Sequence, residues 1–325
     1  FEENGGTTVA DITQGYGTAV SEPDKPTRTG HTFKNWYSNP GLTDVFSFSG
    51  YTMPANNVTV YVDWTINQYN VIFHTNEGST IPTITQDYDT EINPVPGNPT
   101  REGYTFAGWY TTEGFDSGSE FTFEGFRIPA KDTNLYAKWT IKTYQVSLVV
   151  VEIGYGTLTA TGPFTVDHGT NVSAASSILT LGSDTITANK TPDNNQYTYA
   201  FINWSNIPAS GKITEAVTLY ANFSRTPVNY TISFVTNGGS AVDDITQGYG
   251  TAVSEPTKPI KTGHTFKNWY SDAGLTSVFN FSGYTMPANN VTVYVDWTIN
   301  QYTMSFNTNG GNAIGDITQD YNSDI

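Results

Sequence analysis

Three long stretches of this 325-residue chain occur twice. Asp11 to Pro23 recurs as Asp244 to Pro256, Thr29 to Ser38 as Thr262 to Ser271, and Ser49 to Trp64 as Ser282 to Trp297, each 233 positions later. Two diverged relatives lie between these copies. One carries Gly103 to Tyr110 and Leu135 to Trp139, and the other keeps Phe201 to Trp204 and Leu219 to Phe223. Equivalent tyrosines at Tyr69, Tyr144, Tyr230 and Tyr302 give periods of 75, 86 and 72 residues. Solenoid units are about 20–50 residues long, because each is one supersecondary element stacked on its neighbours. A unit of about 70 residues can instead close its own small core. The register predicts domains at 1–67, 68–142, 143–226 and 227–300, with a partial fifth copy at 301–325. The first and last copies are incomplete, so the array is expected to continue beyond this sequence, with any secretion leader outside it.

Each unit reads as strands. Tyr230, Ile232 and Phe234 alternate with polar residues, as do Tyr69, Val71 and Phe73, the pattern of a half-buried strand. Asn237-Gly238, matched by Asn4-Gly5 and Asn309-Gly310, suits a tight hairpin turn that needs positive φ. A short strand is expected near Ile245 to Tyr249. The stretch holding Pro256 and Pro259 cannot be a central strand.

Phe and Trp then recur three apart, at Phe33/Trp36, Phe106/Trp109, Phe201/Trp204 and Phe266/Trp269. On a flat strand such a pair would face opposite ways. The residue before each Trp is Asn35, Gly108, Asn203 or Asn268, types that tolerate left-handed backbone. A β-bulge in that conformation is predicted, turning both rings to one core.

In the last strand Val291, Val293, Val295 and Trp297 share a face. The other face holds Tyr61, Tyr136, Tyr220 and Tyr294, followed by Asp63, Lys138, Asn222 and Asp296. The first face stays apolar and the second changes charge, which separates core from solvent. No segment shows helical periodicity. The connection Trp297 to Tyr302 lacks Gly and Ser, so neighbouring domains are expected to be restrained.

Composition excludes several chemistries. There is no Cys, so thiol catalysis, disulfides and zinc ribbons are out. Net charge is −16, which disfavours nucleic acid as a partner. No run of about 18 apolar residues would place a helix in a membrane. His31, His74, His168 and His264 lack metal-ligand spacing, and no nucleophile elbow, P-loop or dinucleotide fingerprint appears. The paired Asp243 and Asp244 read as solvated loop acids rather than a calcium site. No Lys recurs at a core position, as an isopeptide bond would need.

The run Gly-x-x-Phe-x-x-Trp-Tyr, then Met/Ile-Pro-Ala, then Val/Leu-Tyr-x-x-Trp-Thr resembles the Listeria–Bacteroides repeat, also called the internalin-type B-repeat. The resemblance is close in repeats 1, 2 and 4 and partial in the fifth copy. Repeat 3 departs from it, with an insertion around Ile178 to Asn194. The resemblance implies a mainly β, β-grasp-like fold, an extracellular place on a prokaryotic cell surface, and a stalk or interaction role. It implies neither catalytic residues nor a cofactor.

A tandem array repeats one surface several times, which suits structure or multivalent binding better than a single cleft. The leading expectation is a non-enzymatic spacer, a stalk or filament. Its rivals are an adhesin array for host protein or polysaccharide, an accessory region of a larger secreted enzyme, and assembly with other copies along strand edges. The tyrosine stripe Tyr61, Tyr136, Tyr220 and Tyr294 is the candidate interaction surface, since Tyr offers large area at low entropy cost. Asn57 and Asn290 are the sequons expected to be exposed for glycosylation.

Overall fold

The structure, a computed structural model, describes residues 1–324. The chain divides into two compact units, one of Phe1–Thr143 with Asp167–Gly169, the other of Tyr144–Val166 with Thr170 onward. No helix occurs among the described residues.

Repeat 4, in the second unit, shows the plan most fully. Its sheet runs Ile245–Gly248, Asn229–Val235, Val291–Ile299, His264–Tyr270. The two central strands are parallel, with Ile232 opposite Val291, and both outer pairings are antiparallel. Joining parallel neighbours requires a long crossover. Here irregular chain supplies it and covers one face, with Val253, Phe279, Phe281 and Met286 packed against Ile232, Trp269, Val293 and Val295. Pro259 is buried in that cover.

In the first unit, repeat 2 has the same order: Ile84–Asp87, Gln68–His74, Thr133–Ile141, Tyr104–Tyr110, with Glu120–Phe121 added at the edge. Its core centres on Val71, Trp109, Ile128, Leu135 and Ala137. Repeat 1 holds the antiparallel pair His31–Tyr37 and Tyr61–Ile66 over Trp36, Val60 and Val62. Cutting one such Trp back to Ala costs about 3–5 kcal/mol, much of what a domain this small has.

Repeat 3 differs because of its insertion. Ile178–Leu181 and Asp184–Lys190 form a hairpin inside a second, five-stranded sheet. Leu179, Leu181, Ile186 and Ala188 from that hairpin share one core with Val146, Leu219, Ala221, Phe223 and Trp204. The extra residues thus replace the loop cover with a sheet. The partial fifth copy pairs Gln301–Met304 with Ile317–Asp320.

The bulge is present in all four Phe/Trp strands. Register slips between Phe33 and Asn35, Phe106 and Gly108, Phe201 and Asn203, and Phe266 and Asn268. The rings meet on one side, with centroids 5.2, 5.3, 6.1 and 5.1 Å apart. The left-handed backbone expected there occurs only at Gly108, with φ 130°. The asparagines serve another purpose. Asn35 and Asn268 Oδ1 each accept the following Trp N–H at 3.1 Å, satisfying a donor that the bulge removes from the ladder.

The Asn-Gly turn is also reassigned in part. Asn237 and Gly238 have φ 47° and 88°, the signs a type I′ turn requires. Yet the turn does not close a tight hairpin, since the nearest ladder pair is Ile232 with Ile245. It folds over the last strand instead. Asn237 Nδ2 donates to Val295 O at 2.7 Å, and Trp297 Nε1 donates to Thr236 O at 2.8 Å. Asn4 with Trp64, and Asn76 with Trp139, repeat both bonds.

Candidate functional site

The four stripe tyrosines lie on equivalent strands, central in the sheets of repeats 2, 3 and 4, and are all half-buried. Each sits in a row across its sheet. Tyr61 is opposite Tyr37, Tyr136 opposite Tyr110, Tyr220 opposite Ser205, and Tyr294 opposite Tyr270. On the other side the partners are Glu2, His74, Val149 and Val235. Among the described residues no ring contact joins one of the four to another. They are equivalent positions in separate sheets, not one assembled site.

The surroundings differ from repeat to repeat. His74 stacks on Tyr136, with centroids 4.5 Å apart and planes 11° from parallel, and its Nε2 lies 2.9 Å from Asn134 Oδ1. Lys138 sits over Tyr110 at 4.8 Å. Repeats 1 and 4 have an ion pair there instead, Lys34 with Asp63 and Lys267 with Asp296, both at 2.8 Å. The hydrogen bond from each Lys holds its Asp below the usual carboxylate range, against a smaller opposing effect of burial. Asn222 in repeat 3 donates to Asn203 Oδ1 and Ser205 Oγ.

Asn57 and Asn290 are exposed. Asn290 is also structural, because its Oδ1 accepts the Thr231 N–H at 2.9 Å. Asp132 does the same for Asn70 at 2.8 Å in repeat 2. Neither cap is announced by a motif, since the acceptor and the donor lie about 60 residues apart.

A second partnership escapes sequence reasoning. Trp36 and Trp269 Nε1 donate at 2.9 Å to Glu22 and Glu255, which belong to the Ser-Glu-Pro runs of repeats 1 and 4. Counted from the preceding Tyr, Pro94 takes that place in repeat 2, and Trp109 Nε1 has no acceptor there.

Among the described residues no three His, Asp or Glu side chains converge as metal ligands. A groove of about 520 Å³ in repeat 1 is lined by Phe1, Val20, Phe46, Phe48, Tyr51 and Met53, among others. In repeat 4 the matching residues pack against Tyr230 and Ile232, so this is core volume rather than a catalytic cleft. Among the described residues no helix is long and apolar enough to cross a membrane.

The chain matches the Listeria-Bacteroides repeat domain over residues 1–62, 69–138 and 230–295. These ranges take in repeats 1, 2 and 4 and leave out repeat 3. A protein of Evansella cellulosilytica described as a Gly-rich membrane protein is 33% identical over 294 residues, covering 86% of this chain and 30% of that protein. A membrane protein of the same organism is 26% identical over 310 residues, 95% of this chain and 33% of its own length. Internalin H of Listeria monocytogenes is 33% identical over 129 residues, 40% of this chain and 23% of its own. The chain therefore spans a third or less of each of these relatives. With its three matched repeats and their shared bulge, turn and tryptophan geometry, the chain belongs to the Listeria-Bacteroides repeat family.

Proposed function

We propose that this segment is a non-enzymatic spacer, a stalk-like run of β-grasp-like domains, in an extracellular prokaryotic surface protein. One observation carries the reading. The core aromatics recur, as does the turn over the Trp in repeats 1, 2 and 4, whereas the partner of each stripe tyrosine on the strand to its other side differs, being Glu2, His74, Val149 or Val235, even though the opposite Tyr is kept in repeats 1, 2 and 4. A ligand shared by all repeats would need those neighbours kept. The names of the relatives, internalin and membrane protein, support a cell-surface location.

The adhesin reading draws support from the stacked His74 and Tyr136, a half-buried aromatic pair of a kind that sugars can stack on. Glycan arrays and immobilised host matrix proteins, probed with the full chain, separate the two. The spacer predicts no saturable binding. Saturable binding that is lost when Tyr61, Tyr136, Tyr220 and Tyr294 are all changed to Ser would overturn it. Assembly with other copies along strand edges is disfavoured, because the edge strand His264–Tyr270 is bulged and carries Lys267, both of which blunt edges.

A further inference from the structure

The junction between repeats 1 and 2, inside the first unit, consists of one residue. Asn67 separates the strands Tyr61–Ile66 and Gln68–His74. Both of its backbone groups are tied: its N–H donates to Gly30 O in repeat 1, and its carbonyl accepts the Tyr88 N–H of repeat 2, both at 2.9 Å. Its Oδ1 accepts the Thr32 hydroxyl at 2.7 Å. The Tyr88 ring then lies directly on Gly30, whose φ is 72°; a β-carbon there would overlap the ring. His31 meets Tyr88 edge-on, with centroids 6.0 Å apart.

The same set recurs 233 positions later, inside the second unit. Asn300 N–H donates to Gly263 O and its carbonyl accepts the Tyr321 N–H, both at 2.8 Å. Thr265 donates to Asn300 Oδ1, Tyr321 covers Gly263, and His264 meets Tyr321 edge-on at 6.3 Å. The offset thus copies a pair of repeats with its contact, not just single repeats. Between repeats 3 and 4 a variant uses Gln196, Val228 and Tyr249, with Tyr249 against Tyr197 at 5.6 Å. Within the first unit Gly103, Lys142 and His168 form the relay as well. By contrast Tyr16, at the same turn position in repeat 1 and with no such partner, is 79% exposed.

We infer that the Gly-His-Thr edge of a repeat is a dedicated docking surface, and that its partner is the aromatic turn of the repeat that follows. A one-residue linker with both backbone groups bonded has no free rotor, so the ring and the relay together hold the two repeats as a coupled pair. Domains joined by small interfaces ordinarily move relative to each other. This contact removes that freedom at the linker itself. The inference does not depend on whether the chain is a spacer or an adhesin.

The native chain has no cysteine, so two can be introduced for spin labels without background. Exposed Asp24 and Ser117 serve, one in each repeat of the first unit. The full chain labelled there should give a single narrow distance. Tyr88→Ala should abolish it in favour of a broad distribution, with tryptophan fluorescence and circular dichroism unchanged. Gly30→Val should do the same by a different route. Tyr16→Ala should leave the narrow distance intact. A broad distribution in the parent chain, or a narrow one surviving Tyr88→Ala, overturns the inference.

Discussion

The benzo edge of the Trp297 indole lies against Gly239, so close that a β-carbon on Gly239 would overlap its ring. Gly78 with Trp139 and Gly6 with Trp64 repeat the contact. The Trp also donates to Thr236 O in the same turn, so neither partner can withdraw without breaking that bond. Gly239→Ala is expected to destabilise repeat 4 by about 1–3 kcal/mol, the range for overpacking. Peptide-level hydrogen exchange should assign the loss to residues 230–295, and unchanged protection there would contradict it.

Glu255 offers a smaller effect with a built-in comparison. Its carboxylate accepts the Trp269 indole N–H at 2.9 Å. Glu255→Ala leaves that donor without a partner and should cost about 1 kcal/mol. Glu255→Gln keeps an acceptor oxygen and should be nearly neutral. Equal losses in denaturant unfolding would show that the bond contributes nothing.

Acid should loosen one loop and spare its twin. Backbone N–H groups of Ser277 and Thr276 hold the Asp272 carboxyl below its ordinary value of 3.8. A depressed carboxylate adds stability above its unfolded-state pKa, and loses it as pH falls through the lower folded value. Repeat 1 has Asn39 at this place, and its Oδ1 accepts the Thr43 N–H without titrating. Amide exchange at Thr276 should therefore accelerate below about pH 4, corrected for the intrinsic rate, while Thr43 stays protected. Parallel behaviour of the two amides would refute this.

Glu77 occupies the turn position that Gly5 and Gly238 hold elsewhere, at φ 67°. A left-handed non-glycine residue costs roughly 1–2 kcal/mol. Glu77 is ion-paired with Arg101, but the Glu is largely exposed and such pairs contribute little. Glu77→Gly should therefore stabilise repeat 2 by about 1 kcal/mol. A loss of stability would mean the ion pair outweighs the backbone strain.

Asn290 can be tested by analogy with Asp132. Asn290→Asp should preserve the cap on the Thr231 N–H, since a carboxylate already does this work in repeat 2. Asn290→Ala should cost about 1 kcal/mol. If both variants unfold at the same denaturant concentration as the parent, the cap is not stabilising.

Much of each bead was legible in the sequence. Strands, the aromatic pair and the Phe/Trp bulge follow from local spacing, because period two and a three-residue offset are properties of a few consecutive residues. The purpose of Asn35 and Asn268 was not legible, since type alone does not distinguish a left-handed backbone from a side chain accepting the next N–H. The tyrosine stripe was legible as a row of equivalent residues. Its differing neighbours were not, because His74 and Tyr136 meet only through the parallel pairing of strands about 60 residues apart.

By itself the sequence determined the repeat, its family and the apolar face of the first and last strands of a repeat, all carried by residues close together in the chain. Only the tertiary structure decided which strands lie parallel, that the Asn-Gly turn caps a distant Trp, and that one linker residue bonds both neighbours. Each of these depends on backbone groups from distant segments meeting in space, and a backbone group carries no signature in the residue types around it.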